Sequence, residues 1–298
     1  MCTRSIYKYM KCKALHINQV TTMTTPLAST LLLVLLLCSH HVVGQSMQVS
    51  EIYLKSDIYS EILGETRTFH IGLPDSYHTA KDQSYPVMIL LDGYTHFKTT
   101  TGIVHFMSAD QAGNNMAPEM IVVAIVNVDR ERDFTVTKIK TVRPNTMGGG
   151  RDFLAFIEEE LIPYIDATYR TESYRILTGH SLGGLLAINA YADHTSIFDA
   201  FISIDPSIWW DEQTMADRVD AVSLVTFRKK LYLATANQGA ANFERNKKRH
   251  DTYYTLLKER SNEPQHIKIK YFEDEDHRSV PLKAIYEGLR FIYAPYNP

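Results

Sequence analysis

The chain has 298 residues, of which 45% are hydrophobic and 22% charged. That is the balance of an ordinary globular protein, and it excludes a disordered, collagen-like or coiled-coil chain. With 31 Lys and Arg against 34 Asp and Glu, the net charge is −3, so no broad basic face for nucleic acid is expected.

Residues 1–44 differ from the rest. Arg4, Lys8, Lys11 and Lys13 supply positive charge, and no acid precedes Glu51. The run LASTLLLVLLLC over residues 27–38 is shorter than the about twenty residues a spanning helix needs. It has the length of a signal-peptide apolar core, and Val42-Val43-Gly44 puts small residues where a signal peptidase cuts. The expectation is a leader over 1–44, a mature domain over 45–298 with no stable membrane span, and a secreted or periplasmic product. The competing reading is an N-terminal membrane anchor, and Met10 and Met23 are alternative starts. Loss of the leader's four bases takes the net charge from −3 to −7, and Cys2, Cys12 and Cys38, the chain's 3 cysteines, leave with it. A mature chain without cysteine has no disulfide, thiol nucleophile or thiolate metal site.

The mature chain alternates strands and helices. Residues 49–60 and 65–73 read as extended. PVMILLD at 86–92 and MIVVAIVNV at 120–128 are continuous apolar runs of strand length, as expected for strands buried on both faces of a parallel sheet. Residues 150–169 carry Leu154, Ile157, Leu161, Tyr164 and Ile165 at helical spacing, with Glu158–Glu160 facing outward. A strand at 174–178, a helix at 181–191 and strands at 198–204 and 230–236 follow. A charged helix at 243–259, a strand at 266–272 and a helix at 281–293 close the chain. Two opening strands and then repeated strand–helix units give one α/β domain, an open, mostly parallel sheet with helices on both faces.

The segment Gly179-His180-Ser181-Leu182-Gly183-Gly184 fits G-x-S-x-G, with a strand before it and a helix after it. Ser181 on such a tight turn projects its hydroxyl from the sheet edge as a nucleophile. Small residues at 179 and 183 let the backbone pass closely, and the following helix aims its first amides at developing negative charge. Nine histidines remain after residue 44. His277 lies on the loop after the last strand, where the base of this architecture belongs; His266 begins that strand and His250 lies inside the charged helix. The partner acid should fall between Ser181 and His277, after the penultimate strand. Glu244, the first carboxylate beyond that strand, is the expected acid. Asp251 and Asp205 are the alternatives, and a Ser–His dyad without an acid is a third arrangement.

The segments LLDGY at 90–94, NVDRERDFT at 127–135, GHSLGG at 179–184, SIDPSIWW at 203–210 and DHRSVP at 276–281 resemble the "putative esterase" branch of the α/β-hydrolases. That branch includes esterase D, the enterobactin and salmochelin siderophore esterases and the mycolyltransferases of the antigen 85 complex. The resemblance runs from about residue 57 to 293. It implies an α/β-hydrolase fold and serine ester chemistry. In the mycolyltransferases the acid is a glutamate entering the helix after the penultimate strand, which matches Glu244; in the periplasmic siderophore esterases a dyad has been proposed. Many relatives have a serine where this chain has Asp205, so no role is carried onto it. The resemblance also implies an oxyanion hole made by the backbone amides of Leu182 and Tyr94. Arg130, Arg132 and Asp133 follow the fourth strand: Arg132 is the expected grip on a polar or anionic substrate, and an Arg–Asp pair holding the loop is the alternative. Trp209 and Trp210 are read either as the wall of an acyl or aromatic pocket or as core packing.

Together these readings give an exported serine esterase with Ser181 as nucleophile, His277 as base and Glu244 as acid, acting on a small-molecule or carbohydrate-linked ester, without cofactor or metal. Its rivals are acyl transfer on the same scaffold and a binding module on an inactive one.

Overall fold

The continuous apolar runs become the middle of one sheet. The computed structural model describes residues 53–110, 113–141, 144–193, 197–211 and 229–295, and its eight strands lie in the order β1-β2-β4-β3-β5-β6-β7-β8. They are β1 (Leu54–Ser60), β2 (Glu65–Gly72), β3 (Tyr85–Leu90), β4 (Ile121–Ile125), β5 (Thr171–His180), β6 (Ala200–Ile204), β7 (Lys230–Ala236) and β8 (Ile267–Phe272). β2 runs antiparallel to both β1 and β4, and every other neighbouring pair is parallel.

Alternate side chains of a strand point to opposite faces, and here both faces are covered. Val87, Ile89, Val123, Leu177 and Leu233 pack on one side, and Met88, Leu90, Val122, Ile202 and Tyr232 on the other. The first face is covered by α3 (Gly150–Phe156), α4 (Ile162–Thr168), α5 (Leu182–Ala192) and α6 (Arg249–Arg260), the second by α1 (Gly93–Ser108) and α7 (Val280–Ile292). A short helix, α2 (Arg130–Phe134), follows β4. Each fully buried aliphatic or aromatic side chain contributes roughly 1.5–3 kcal/mol relative to exposure. This two-sided cover is why the central strands carry no polar alternation.

Two features depart from the sequence reading. Helix α1 was not expected, because GYTHFKTTTGIVHFMS is rich in β-branched and aromatic residues with Gly102 inside, a composition of weak helix propensity. Its stability comes from burial of Phe97, Thr100, Val104 and Met107, positions separated by three or four residues and so on one face. The helix over 150–168 is interrupted by a π turn, Ile157–Leu161. Glu160 there does not simply face water: its Oε1 accepts the amides of Glu61 and Ile62 at 2.9 and 3.1 Å, which ties the β1–β2 turn to the helix.

Because β3, β5, β6, β7 and β8 are parallel, their C-terminal tips share one edge, which is where an open α/β sheet holds its ligands. No helix of the described residues is long and apolar enough to cross a membrane. The expected leader, 1–44, lies outside the described residues.

Candidate active site

Ser181 sits between the tip of β5 and the first turn of α5 with φ 59° and ψ −116°. A non-glycine residue at such angles costs roughly 1–3 kcal/mol and persists only where its surroundings determine it. Here the Ser181 amide donates to Ile204 O at 2.9 Å, and its carbonyl accepts from the amides of Leu185 and Ser207 at 2.9 and 3.1 Å. The turn is too tight for a side chain at 179: a Cβ there would stand 2.3 Å from Gly183 O. The second close approach is at Gly184, 2.9 Å from Ile204 O, rather than at Gly183, so the doubled glycine of the motif matters more than the sequence reading allowed.

His277, on the loop after β8, faces Ser181. Its Nδ1 lies 2.5 Å from Asp205 Oδ2 and its Nε2 lies 3.1 Å from Ser181 Oγ. A carboxylate only accepts, so Nδ1 carries the proton and Nε2 is left to accept the serine hydroxyl. Asp205 follows β6 at φ 41° and its side chain is fully buried. Its Oδ1 accepts the Ala236 amide at 3.0 Å, and its Oδ2 also accepts from Gln238 Nε2. Burial raises the cost of ionising this carboxyl, but the bonds from His277 and the Ala236 amide outweigh it and hold the pKa below the usual carboxylate value. Ser207, 5% exposed, places its hydroxyl 3.2 Å from Ser181 Oγ.

The expected acid, Glu244, is not in this constellation. It opens a π turn beyond β7, its side chain is 73% exposed, and it pairs with Lys248 one turn on at 3.0 Å. Asp251 is likewise taken, by Lys247 at 2.5 Å. The tip of β7 contributes Gln238 instead, whose Nε2 also lies 3.2 Å from His277 Nδ1. The carboxylate that meets the histidine comes from the tip of β6.

Tyr94 and Leu182, the expected oxyanion donors, are second in α1 and first in α5, positions whose amides have no intrahelical acceptor. Asp92, at φ 55°, turns the chain from β3 into α1. Its carboxylate accepts from Asn127 Nδ2 at 2.6 Å and from Arg130 Nε and Nη2 at 2.6 and 3.0 Å, and Arg130 Nη2 donates to His180 O at 3.0 Å. Arg130 thus braces the tips of β3 and β5 against each other.

Arg132 does not face the site as expected of a substrate grip. It donates to Glu65 with both terminal nitrogens and, through Nε, to Asp133 at 2.7 Å. These carboxylates also hold Arg67, which has no exposed surface and reaches each at 2.7 Å. The arginine–carboxylate pair holding the loop is therefore the observed arrangement, set by the need of buried Arg67 for two counter-charges. Asp133→Ala leaves that guanidinium short of a partner and is expected to cost about 3–5 kcal/mol in a urea-unfolding measurement.

His180, the variable residue of the motif, stacks 4.5 Å from the ring of His277 at 42° and 5.6 Å from that of His96. Burial, and then the proximity of His277 and His96, push its pKa down to about 4. Between about 6.5 and 4 the unfolded chain therefore binds more protons at this residue than the folded one. Stability should be fully present above about pH 6.5 and fall towards pH 4, by about 3 kcal/mol from this group. The urea midpoint followed over that range should be visibly flatter in His180→Gln.

Trp210 is 7% exposed and packs in the core, and Trp209 is covered by Arg245, 4.8 Å above its ring, so both resolve largely to packing. A groove of about 430 Å³ runs beside the His277 loop between α1 and α7, lined by Thr95, His96, Thr99, Arg278, Pro281 and Leu282 among others. Among the described residues no group of three or more His, Cys, Asp or Glu is placed to hold a metal ion. Asp205, one of the two alternative acids, had a usable signal, an acid at the tip of the strand after the nucleophile helix. Ser207, Gln238 and Asn127 had none, because a single polar residue on a loop carries no pattern.

A mostly parallel sheet with a strained serine elbow at one strand tip, and a histidine after the last strand, defines a hydrolase of the α/β-hydrolase fold. Residues 60–279 match the model of the family described as "Putative esterase"; the chain belongs to that family and is an ester hydrolase. It is similar to the ferri-bacillibactin esterase BesA of Bacillus subtilis, 26% identical over 253 residues that cover 78% of this chain and 88% of that protein. It is 33% identical over 135 residues to the siderophore triacetylfusarinine C esterase of Aspergillus fumigatus, covering 42% of this chain and 45% of the other. Among solved structures, an IroE-like serine hydrolase from Shewanella oneidensis superposes with a TM-score of 0.73 at 29% identity, over 83% of this chain and 81% of that one.

Proposed function

We propose that this esterase cleaves a small-molecule ester of the siderophore type through an acyl-enzyme on Ser181, with His277 as base and Asp205 as the acid that orients it. The observation that carries the mechanism is the unbroken contact chain from Ser181 Oγ to His277 to buried Asp205. As Oγ attacks the ester carbonyl carbon, its proton moves to His277 Nε2, and the imidazolium is stabilised by Asp205. The amides of Leu182 and Tyr94 receive the carbonyl oxygen as it becomes an oxyanion. Collapse of the tetrahedral intermediate breaks the ester C–O bond, and His277 returns the proton to the departing alcohol. Water then repeats the sequence, releasing the acid and restoring Ser181.

The substrate class is supported by the names of the relatives, which act on ferri-bacillibactin and triacetylfusarinine C, and by a groove beside His277 large enough for part of such a molecule. Export is part of the proposal: residues 1–44 carry the charge, apolar core and small-residue site of a leader, and N-terminal sequencing of exported protein should begin at Gln45.

A fluorophosphonate should label the folded protein at Ser181 and nowhere else. A panel of ester siderophores, iron-loaded and iron-free, alongside acetyl and feruloyl carbohydrate esters, should give its highest kcat/KM on a siderophore. Absence of label on folded protein would sink the mechanism, and preference for a carbohydrate ester would replace the substrate class. Transfer to an added alcohol in place of water would mark an acyltransferase.

A further inference from the structure

Asp205 stands in an unfavourable backbone conformation, φ 41°, followed by Pro206, whose ring restricts the residue before it. Its amide donates to Ala234 O at 2.8 Å and its Oδ1 accepts the Ala236 amide at 3.0 Å. The carboxylate is thus hung between the tips of β6 and β7, and its position depends on how those two tips are held together.

Gln238, just past β7, joins them by donating to Asp205 Oδ2, and a side chain from a third element joins them from beneath. His250, from α6, reaches under the site with 1% exposure. Its Nε2 lies 2.8 Å from Pro206 O and its Nδ1 lies 2.9 Å from Thr235 Oγ1. A carbonyl only accepts, so Nε2 carries the proton; burial pushes the ring's pKa below the ordinary histidine value, so Nδ1 is free to accept the Thr235 hydroxyl. Pro206 is the residue after Asp205, and Thr235 is the residue before the amide donor Ala236. The imidazole therefore bridges the segment that carries the acid and the segment that anchors it. An apolar side chain would fill this space without the cost of burying a polar ring; what it would lack is the pair of bonds to the two tips.

We propose that His250 is a positioning residue of the hydrolytic site, a neutral clamp that fixes Asp205 against His277. The inference rests on the reading of Ser181, His277 and Asp205 as the reacting set. It implies that loss of the clamp damages the chemical step more than binding, because a misplacement of an ångström or less in such a set lowers rate steeply.

The test compares His250→Leu, His250→Gln and Thr235→Val with the wild-type protein on an aryl ester, with rates expressed per site titrated to completion by fluorophosphonate so that unfolded protein does not count. His250→Leu should lower kcat about 10–100-fold with KM within about twofold. His250→Gln, whose carboxamide donates and accepts, should recover to within about threefold of wild type. The downfield proton resonance of the His277–Asp205 bond should broaden or move in the Leu variant and persist in the Gln variant. If His250→Leu does not fold, Thr235→Val, which deletes the hydroxyl bonded to Nδ1, carries the decision with an expected loss of about 3–10-fold. A wild-type kcat per titrated site with an unmoved resonance, or equal losses in the Leu and Gln variants, overturns the inference. Should the wild-type protein itself take no label and hydrolyse no ester, the site reading fails instead, and the two failures are distinguishable.

Discussion

Ser181→Ala should fold with a thermal midpoint within a few degrees of wild type and lose about 10⁵–10⁶-fold in kcat on any ester the protein turns over. Alanine retains the Cβ, and the backbone bonds that hold the elbow, from the 181 amide to Ile204 O and from the Leu185 and Ser207 amides to the 181 carbonyl, involve no part of the hydroxyl. Only Oγ is removed, and with it the covalent route. Ser207 does not substitute: its hydroxyl is 3.2 Å from Ser181 Oγ, but the contact to His277 Nε2 is made by Ser181. Steady-state kinetics with active-site titration checks the result. A variant that keeps even one per cent of turnover would move the nucleophile elsewhere.

Asp205→Asn should lower kcat by about 10⁴-fold, the scale on which a wrong imidazole tautomer acts in a serine triad. The reason lies in the bonds of the two carboxylate oxygens. Oδ1 is committed to the Ala236 amide and Oδ2 to His277 Nδ1–H. An asparagine that keeps its oxygen on the amide turns its NH2 towards the histidine, which then holds its proton on Nε2 and no longer accepts from Ser181. Glu244→Gln, by contrast, removes a charge from a solvent-facing pair with Lys248 and should stay within about twofold of wild type, since exposed pairs of this kind are worth little. Crippled turnover in Glu244→Gln together with normal turnover in Asp205→Asn would return the acid to the helix after β7. Full activity in both, with an inactive His277→Ala, would mean a dyad.

Strain collects at this edge of the sheet. Asp92, Ser181 and Asp205 each follow a strand and each has positive φ, and Asn115 is the other non-glycine residue so placed among the described residues. Three parallel strands end in a sharp reversal that lifts a polar side chain off the sheet, and each reversal is secured by contacts from a neighbouring strand tip: Arg130 to Asp92, the Ile204 carbonyl to Ser181, and the Ala234 carbonyl and Ala236 amide to Asp205.

What the amino-acid sequence determined by itself was whatever is encoded within a few neighbouring residues. Runs such as PVMILL and IVVAI read as strands covered on both faces because every position is apolar. GHSLGG announced the elbow because a tight strand-to-helix turn needs glycine at short fixed spacings, and His277 was legible because the loop after the last strand is defined by chain order. The partners of those residues were decided only by the tertiary structure. His277 meets Asp205 across 72 positions and Arg132 meets Glu65 across 67. Which strand tip lies within 3 Å of the histidine depends on the lateral order β5-β6-β7-β8 and on the reversal of the chain at Asp205, neither of which leaves a periodic trace. Glu244 was the nearer choice along the chain, but it projects into water, while the acid beside the nucleophile strand is drawn under His277 by the amide of Ala236. Helix α1 stayed hidden for the same reason: its residues disfavour a helix locally, and only the sheet face against which Phe97, Val104 and Met107 pack makes one stable.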